Sequence, residues 1–311
     1  MLQGTDRLKR ILTLVILALF AVLVIQQIYF SVTEGGLSSA KSELESVNSQ
    51  ISDAQSQNDN LTKQQSEKLI EYKNAQGRLS LSGDGSGKVA YLTFDDGPSK
   101  TLTKKNLEVL TEHGAVATWF CLADEEDYPY LDLSLCKDIE AQGSAVGIHD
   151  WDQNDSYDYY KGTAKNYFTS DFNKAKSAIE SAVGHEIHIM RFAGGSLSIK
   201  SCSSSNAKKI PKMMLKRGIQ FVDWNVLAGD SESSQFVNGS TPKSKIVSNV
   251  LSEAQKYAKT NSPICVLMHD NPGKETTTKA LPEIIDGLKE LGYTFKTLDF
   301  DSPGFYQLEI G

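Results

Sequence analysis

The sequence is short of cysteine, of proline and of positive charge, and each shortage excludes a class of protein. Four cysteines in 311 residues are too few for a disulfide-stapled miniprotein, and 8 prolines with 23 glycines exclude a collagen-like repeat. A hydrophobic content of 40% excludes a wholly disordered chain. The net charge of −7 argues against a nucleic-acid-binding protein, because such proteins draw affinity from Lys and Arg that neutralise phosphates.

Charge is absent from residues 11–30, which are almost entirely apolar. About 20 apolar residues are enough to cross a bilayer as a helix. Arg7, Lys9 and Arg10 come just before this run, and positive flanks stay in the cytoplasm. A cleaved signal peptide is the alternative, but its apolar core usually has about 7–15 residues. We therefore predict a cytoplasmic N-terminus at residues 1–10, a single-pass membrane anchor at 11–30 and an extracellular remainder.

Proline is also absent from residues 31–79, which are rich in Gln, Ser, Glu, Lys and Asn. Apolar residues recur there at alternating spacings of three and four, which is the seam pattern of a coiled coil. Asn58 either fixes the register or marks where the seam weakens, so we predict a helical stalk and at most a weak homodimer. Residues 80–88 are rich in Gly and Ser and predict a flexible linker. The seam positions are Leu37, Ala40, Leu44, Val47, Ile51, Ala54 and Leu61.

Residues 89–311 alternate short β-rich runs with stretches of helical spacing. This alternation predicts one α/β domain with a parallel sheet or barrel, and active-site residues at the C-terminal ends of its strands. The predicted strands are 89–94, 115–121, 145–148, 187–192, 219–222, 264–268 and 294–298. The predicted helices are 102–113, 131–142, 171–183, 207–217, 244–258 and 277–291.

The residues at the predicted strand ends include many acids, bases and cations. Asp-Gly-Pro at 96–98 is by itself a turn signal, and a lone histidine is usually incidental. Two adjacent carboxylates can also divide two tasks, one binding a metal while the other handles a proton. Several such strand ends in one domain therefore predict an active site. They carry Asp95, Asp96, His149, Arg191, Gly194, Asp223, Trp224, Asp230 and His269.

In chain order, these motifs resemble those of the polysaccharide deacetylases, the NodB-homology carbohydrate esterases of family 4. The matching segments are TFDDGP at 93–98, His149, RFAGG at 191–195, Asp223-Trp224 with Asp230, and LMH at 267–269. The resemblance spans residues 88–299 and implies a distorted (β/α) barrel. It also implies hydrolysis of N-acetyl groups in a GlcNAc-containing envelope polymer such as peptidoglycan, with one divalent metal, commonly Zn²⁺.

The resemblance implies metal and base roles for four residues. Asp96 and His149 would be metal ligands. Asp95 would be the general base that activates a water at the metal, and Arg191 would keep Asp95 ionised and oriented.

It likewise implies roles for a proton donor and for the residues around the acetyl group. His269 would protonate the leaving amine, with Asp230 hydrogen-bonded behind it. Trp224 and Leu267 would line the pocket for the acetyl methyl group, and a backbone N–H near Gly194 would help to stabilise the oxyanion.

Two positions depart from the family pattern. The family has His-x-x-x-His at the second motif, but Gln153 stands at the second histidine position. A neutral amide is a weak zinc ligand, and Asp152 is the candidate substitute if the segment is helical, with Asp150 less well placed. Ala193 stands where the family usually has proline, which predicts a looser loop beside the oxyanion site.

These departures leave three functional hypotheses. The chain is an active deacetylase with an altered metal site, an impaired homologue that binds glycan or acts as a scaffold, or a hydrolase of another amide or ester. The proton-transfer set of Asp95, Arg191, Asp230 and His269 favours activity, because a binding module does not need it. Cys121 and Cys136 are close enough in sequence to suggest a disulfide, whereas Cys265 is expected to be a core residue.

Overall fold

The structure is a computed structural model that describes residues 15–30, 37–82, 87–152, 158–232 and 239–310. The chain divides into two compact units, Met1–Lys68 and Leu69–Gly311. Residues 15–30 are helical, and among the described residues no helix is both long and apolar enough to cross a membrane. The predicted anchor at 11–30 begins outside the described residues.

A single helix, Leu37–Ser82, occupies most of the predicted stalk and continues into residues 80–82 of the predicted linker. A coiled coil requires a second helix, and whether one pairs with Leu37–Ser82 is not tested, so the homodimer stays a prediction. The last turns of this helix belong to the larger unit, which begins at Leu69.

In this larger unit, the end of the stalk helix packs on the C-terminal tail. Ile70 lies in the hydrophobic core, and Lys73 is buried, with its ammonium group donating to Phe300 O. Asn74 Nδ2 donates to Ile310 O over 2.8 Å, and Ile310 N donates back to Asn74 Oδ1 over 2.9 Å. The compact unit thus begins before residue 89, the predicted start of the α/β domain. The sequence did not predict this, because the spacing of the seam residues does not reveal which stalk residues the C-terminal tail covers.

The larger unit is built on a parallel eight-stranded sheet with the order β5-β4-β3-β2-β1-β7-β6, in which β8 also pairs with β1. Every pairing in it is parallel. In the described residues the outer strands β5 and β6 do not pair with each other, so the sheet is curled and not a closed barrel. The strands are β1 Val89–Gly97, β2 Ala117–Cys121, β3 Ala145–Ile148, β4 Ile189–Met190, β5 Gln220–Phe221, β6 Val226–Leu227, β7 Ile264–His269 and β8 Thr294–Phe295.

Helices cover the sheet and make the predicted α/β architecture. In the helix Glu275–Glu290, the buried residues include Ala280, Leu281, Ile284, Ile285 and Leu288, which is the spacing of one helical face. The central strand β1 is buried along nearly all of its length, as parallel strands covered on both faces are. The remaining helices are Thr103–Glu112, Leu135–Ala141, Ala164–Tyr167, a π-helix at Phe168–Phe172, Asn173–Val183, Ser196–Cys202, Ser204–Lys216 and Lys243–Ala258.

Candidate active site

The central strand β1 presents two consecutive carboxylates to one site. Neighbouring residues of a regular strand point to opposite faces, but the register of β1 against β2 shifts between Asp95 and Gly97. Asp96 also has φ 68°, in the left-handed region that residues other than glycine rarely adopt. As a result both carboxylates approach His149 Nε2, with Asp95 Oδ2 at 3.9 Å and Asp96 Oδ1 at 3.5 Å.

Arg191, just after β4, orients Asp95. Its Nη1 donates to Asp95 Oδ1 over 2.8 Å and to Thr93 Oγ1 over 2.7 Å. The guanidinium is fully buried and stacks on Phe120 at 4.3 Å. Because Oδ1 is held by arginine, Oδ2 is the oxygen of Asp95 that faces the site. Further acceptors for Arg191 are Val222 O, Asp223 O and Cys265 Sγ.

His149 follows β3, and a backbone oxygen fixes its ring orientation. Its Nδ1 lies 2.6 Å from Arg191 O, and a carbonyl oxygen can only accept, so Nδ1 carries a proton. Burial opposes a charge on the ring, but the carboxylates of Asp95 and Asp96 raise the pKa of His149 to about 10. The ring is therefore protonated at neutral pH unless a cation takes the place of the Nε2 proton, and Nε2 lies 3.5 Å from Asp96 Oδ1. A ring whose Nδ1 is held by a carbonyl and whose Nε2 faces a carboxylate has the orientation usual for a metal-ligating histidine.

The pair of Asp96 and His149 fits two ligand positions of a divalent cation. Asp96 Oδ1 is buried and has no hydrogen-bond partner in the described structure. Burial acts to raise the pKa of Asp96, but the His149 ring, whose Nε2 lies 3.5 Å from Oδ1, and the positive charge of His269 lower it below its ordinary value. A buried anionic oxygen beside an imidazole nitrogen is a donor set that zinc accepts. Gln153, the family's third-ligand position, lies outside the described residues.

Asp152, the candidate substitute ligand, is not grouped with this pair. Its Oδ1 accepts from Tyr128 OH over 2.5 Å, and its carboxylate lies within 4.8 Å of those of Asp124 and Asp127. In the described ranges, these three are the one set of three or more His, Cys, Asp or Glu residues close enough to hold a metal. Residues 149–152 are not helical, so the helical spacing on which the Asp152 interpretation depended does not apply.

His269 lies at the end of β7, directly opposite Asp95 in the sheet register. Asp230 Oδ1 lies 2.9 Å from His269 Nδ1, and Asp230 Oδ2 accepts the backbone N–H of His269 over 2.9 Å. Burial disfavours a charged ring, but Asp230, Asp96 and Asp95 raise the pKa of His269 to about 9. The ring is therefore protonated at neutral pH, as a proton donor must be.

Trp224 packs against Gly195, the residue after Gly194, at the turn between Arg191 and the helix Ser196–Cys202. Gly194 and Gly195 have φ of 66° and 78°, and a Cβ on Gly195 would lie 2.8 Å from the Trp224 ring. Only glycine allows this contact. Leu267 is almost fully buried and pairs with Thr93 in the register of β1 and β7, two positions before the His269 end of its strand.

Three buried carboxylates near the site have structural roles that the sequence did not predict: Asp150, Asp223 and Asp270. Asp223 was predicted only as a strand-end residue of the active site, and Asp150 only as a less well placed metal ligand. Asp270 Oδ2 accepts from Thr103 Oγ1 over 2.6 Å and from Trp119 Nε1 over 2.7 Å. Burial raises the pKa of Asp270 to about 7. Asp150 and Asp270 each directly follow a histidine that was predicted to lie in the site. This position in the sequence is the feature that could have indicated that they lie near the site.

The cysteine thiols are free in the structure. Cys121 and Cys136 are both buried and not bridged, and Cys265 is buried in β7 as expected. Burial, together with the neighbouring Cys136 thiol, raises the pKa of Cys121. The disulfide suggested by the sequence spacing is therefore absent from this structure.

Comparison with known proteins points to one family. The family model for polysaccharide deacetylase matches residues 82–212. The chain is 29% identical to a peptidoglycan-N-acetylglucosamine deacetylase of Bacillus cereus over 216 residues, which are 69% of this chain and 71% of that protein.

Solved structures show the same fold. The catalytic domain of a peptidoglycan N-acetylglucosamine deacetylase from Eubacterium rectale is 29% identical, with a TM-score of 0.61 over 73% of this chain and 95% of that one. A CE4 esterase from Streptococcus mutans is 26% identical, with a TM-score of 0.57 over 72% and 91%. The curled parallel sheet of this chain is therefore the fold of these enzymes.

Proposed function

We propose that this chain, which carries a domain of the polysaccharide deacetylase family, removes acetyl groups from N-acetylglucosamine residues of a cell-envelope polysaccharide such as peptidoglycan. The observation that carries the proposal is the register of β1 and β7, which places Asp95 directly opposite His269. An oriented carboxylate thus lies beside an imidazole whose pKa is about 9. Amide hydrolysis needs such a pair, because one group must take a proton from water while another gives a proton to the leaving nitrogen.

Asp95 acts as the base in this proposal. Arg191 holds Asp95 Oδ1, so Oδ2 is left to accept a proton from the attacking water. A divalent cation held by Asp96 and His149, for which we propose Zn²⁺, would supply Lewis-acid polarisation of the acetyl carbonyl. The backbone N–H near Gly194 lies on the turn where a developing oxyanion can be stabilised by a fixed donor.

His269 acts as the acid. The C–N bond breaks as the ring delivers its proton to the amine nitrogen, which gives acetate and a free glucosamine amine. Asp230 fixes the ring through Nδ1, so Nε2 is the nitrogen that faces the substrate. Trp224 and Leu267 are proposed to line the acetyl pocket, which would select a small acyl group by size.

The test is acetyl loss from muropeptides and N-acetylchitooligosaccharides, followed by mass spectrometry with the full chain, with added Zn²⁺ or Co²⁺ and with chelator. We expect metal-dependent loss of acetyl groups, and no loss with His269→Gln, whose side chain keeps the polar character but has no transferable proton.

The second candidate is a glycan-binding homologue with impaired hydrolysis. It is favoured by one observation, that the described residues place no third His, Cys, Asp or Glu ligand atom with Asp96 and His149. A folded wild-type chain that binds these glycans but releases no acetate under any metal would support it and refute the deacetylase proposal.

We further propose that residues 11–30 anchor the protein in the membrane, with the catalytic domain outside the cell. The uncharged run and the preceding Arg7, Lys9 and Arg10 support this arrangement. Such a location would give the domain access to peptidoglycan.

A further inference from the structure

Two loops of the active site are joined by three hydrogen bonds. Arg191 N donates to Ile148 O over 2.9 Å, which continues the pairing of β4 with β3. His149 Nδ1 donates to Arg191 O over 2.6 Å. The third bond also uses a side chain, because Ala193 N donates over 2.9 Å to Oδ2 of Asp150.

Asp150 is firmly held in its position. It is fully buried, and its Oδ1 accepts from Tyr167 OH over 3.0 Å while Oδ2 is 3.4 Å from Tyr160 OH. Both tyrosine rings also contact Phe192, with centroids 6.2 Å and 6.1 Å away. A buried carboxylate is tolerated where its oxygens accept hydrogen bonds, so this set of donors fixes the acceptor that Ala193 uses.

The Gly194-Gly195 pair forms a turn whose backbone conformation must be held by the residues on either side of it. Both glycines are left-handed, and glycine gives the backbone more freedom than any other residue. The chain just after them is anchored by Ser196, whose N and Oγ donate to the buried carboxylate of Asp223 over 2.8 Å and 2.5 Å. The chain just before them is anchored by Ala193 and Asp150.

We propose that Asp150 is a positioning residue for the oxyanion side of the site. By accepting the Ala193 N–H, it fixes the peptide that leads into Gly194 and replaces the constraint that proline at position 193 supplies in the family. The loop is thus held by a hydrogen bond and not left loose by the loss of proline. The catalytic part of this inference rests on the proposed deacetylase function, whereas the structural part does not.

The structural part is tested by hydrogen exchange of the Ala193 amide in the full chain, resolved from overlapping peptides. Asp150→Ala is expected to speed this exchange by about tenfold or more, since a hydrogen bond to a charged acceptor is lost. Asp171→Asn is the matched control, because Asp171 is also a buried acid that accepts a loop amide, that of Trp151. It should leave the Ala193 amide protected. Equal exchange at Ala193 in wild type and Asp150→Ala would overturn the proposal.

The catalytic part is tested by a double-mutant cycle with Ala193→Pro. The proline Cδ would stand where the amide hydrogen now points, against Asp150 Oδ2 at 2.9 Å from the nitrogen, so Ala193→Pro clashes with the carboxylate. Asp150→Ala removes the clash while the ring supplies the constraint. We expect each single variant to lower kcat by about tenfold, with KM changed less than about twofold, and the double variant to recover most of kcat.

The outcomes separate the two claims. Additive losses in the cycle, or a kcat loss of the same size in Asp171→Asn, would overturn the positioning role even if the exchange result holds. If the wild-type chain releases no acetate, the proposed function fails, and the exchange measurement alone decides whether Asp150 fixes the turn.

Discussion

The two histidines of the site occupy similar places at strand ends, but different partners hold them. His149 Nδ1 donates to a backbone carbonyl, that of Arg191, whereas His269 Nδ1 pairs with the carboxylate of Asp230. A carbonyl orients the ring without adding a full charge, which leaves Nε2 to act as a ligand. The carboxylates nearest His149, those of Asp95 and Asp96, lie on its Nε2 side, where a cation would replace the proton. The Asp230 carboxylate stabilises the protonated His269 ring from Nδ1 and leaves Nε2 available, which suits a general acid.

The exposure of the two rings differs in the same sense. The His149 side chain is 1% exposed and lies against Asp95 and Asp96, whereas the His269 side chain is 12% exposed. A ligand for a small ion can be enclosed, but a group that gives a proton to a polymer must be reached by it. The ring partner and the exposure therefore both distinguish His149, the proposed metal ligand, from His269, the proposed acid.

The largest effect is expected from Asp95→Asn, because Asp95 lies between the two histidines. The amide oxygen can still accept from Arg191, but the side chain can no longer accept a proton from water. We expect kcat on N-acetylchitooligosaccharides to fall by about 10²–10⁴-fold, the usual contribution of a general base.

The thermal unfolding temperature serves as the control for this variant. A kcat within a few-fold of wild type, in a chain that unfolds at the same temperature, would remove Asp95 from the mechanism.

The ligand and acid assignments separate in a metal-binding comparison of His149→Gln with His269→Gln. His149→Gln should weaken Zn²⁺ binding on the order of 100-fold, since an imidazole donor is replaced by a weak amide. His269→Gln should weaken it by less than about tenfold while abolishing acetyl release. Calorimetric titration of both variants measures this, and equal losses of affinity would contradict the contrast between the two histidines.

The sequence predicted the chemical groups of the site better than their supports. Asp95, Arg191 and His269 could be found because each lies at a strand end within a motif. Asp270 and Asp150 could not be assigned, because their partners, Trp119 and Ala193, are brought to them only by the folded sheet.

Short elements were also missed. The strand β6, Val226–Leu227, and the helix Ser196–Cys202 are too brief to show a period in the sequence. The structure nevertheless confirms the predicted α/β domain with a parallel sheet. Its longer strands and helices could be predicted because their hydrophobic residues show a clear period in the sequence. The prediction of a looser loop at Ala193 rested only on the missing proline ring. It did not take into account that alanine, unlike proline, has an amide hydrogen, which here donates to Asp150.

The acid assignment is sharpened by Asp230→Asn. The pKa of His269 is raised to about 9, so the protonated ring is lost as pH rises through that value. Without the Asp230 charge the pKa should move down towards its ordinary value of about 6.5. The alkaline limb of the kcat profile is then expected to shift to lower pH by about 1–2 units.

Thr277→Val provides the matched control for that shift. It removes only the hydrogen bond that Thr277 donates to Asp230 Oδ2 and leaves the charge in place, so a much smaller shift is expected. An unchanged alkaline limb in Asp230→Asn would show that another group donates the proton.

The smallest effect is expected where Asp270, the residue after His269, packs against Gly97 at the end of β1. A Cβ on Gly97 would lie 2.0 Å from Asp270 Oδ1, and Asp270 cannot easily move because Thr103 and Trp119 hold it. Gly97→Ala is therefore expected to lower the free energy of unfolding by about 1–3 kcal/mol, as measured by urea denaturation. Gly162→Ala, where a Cβ meets nothing closer than 3.5 Å, should not destabilise the fold in this way. If Gly97→Ala is as stable as Gly162→Ala, the Asp270 carboxylate is free to adjust, and the end of β1 is less rigidly held than the hydrogen bonds of Asp270 suggest.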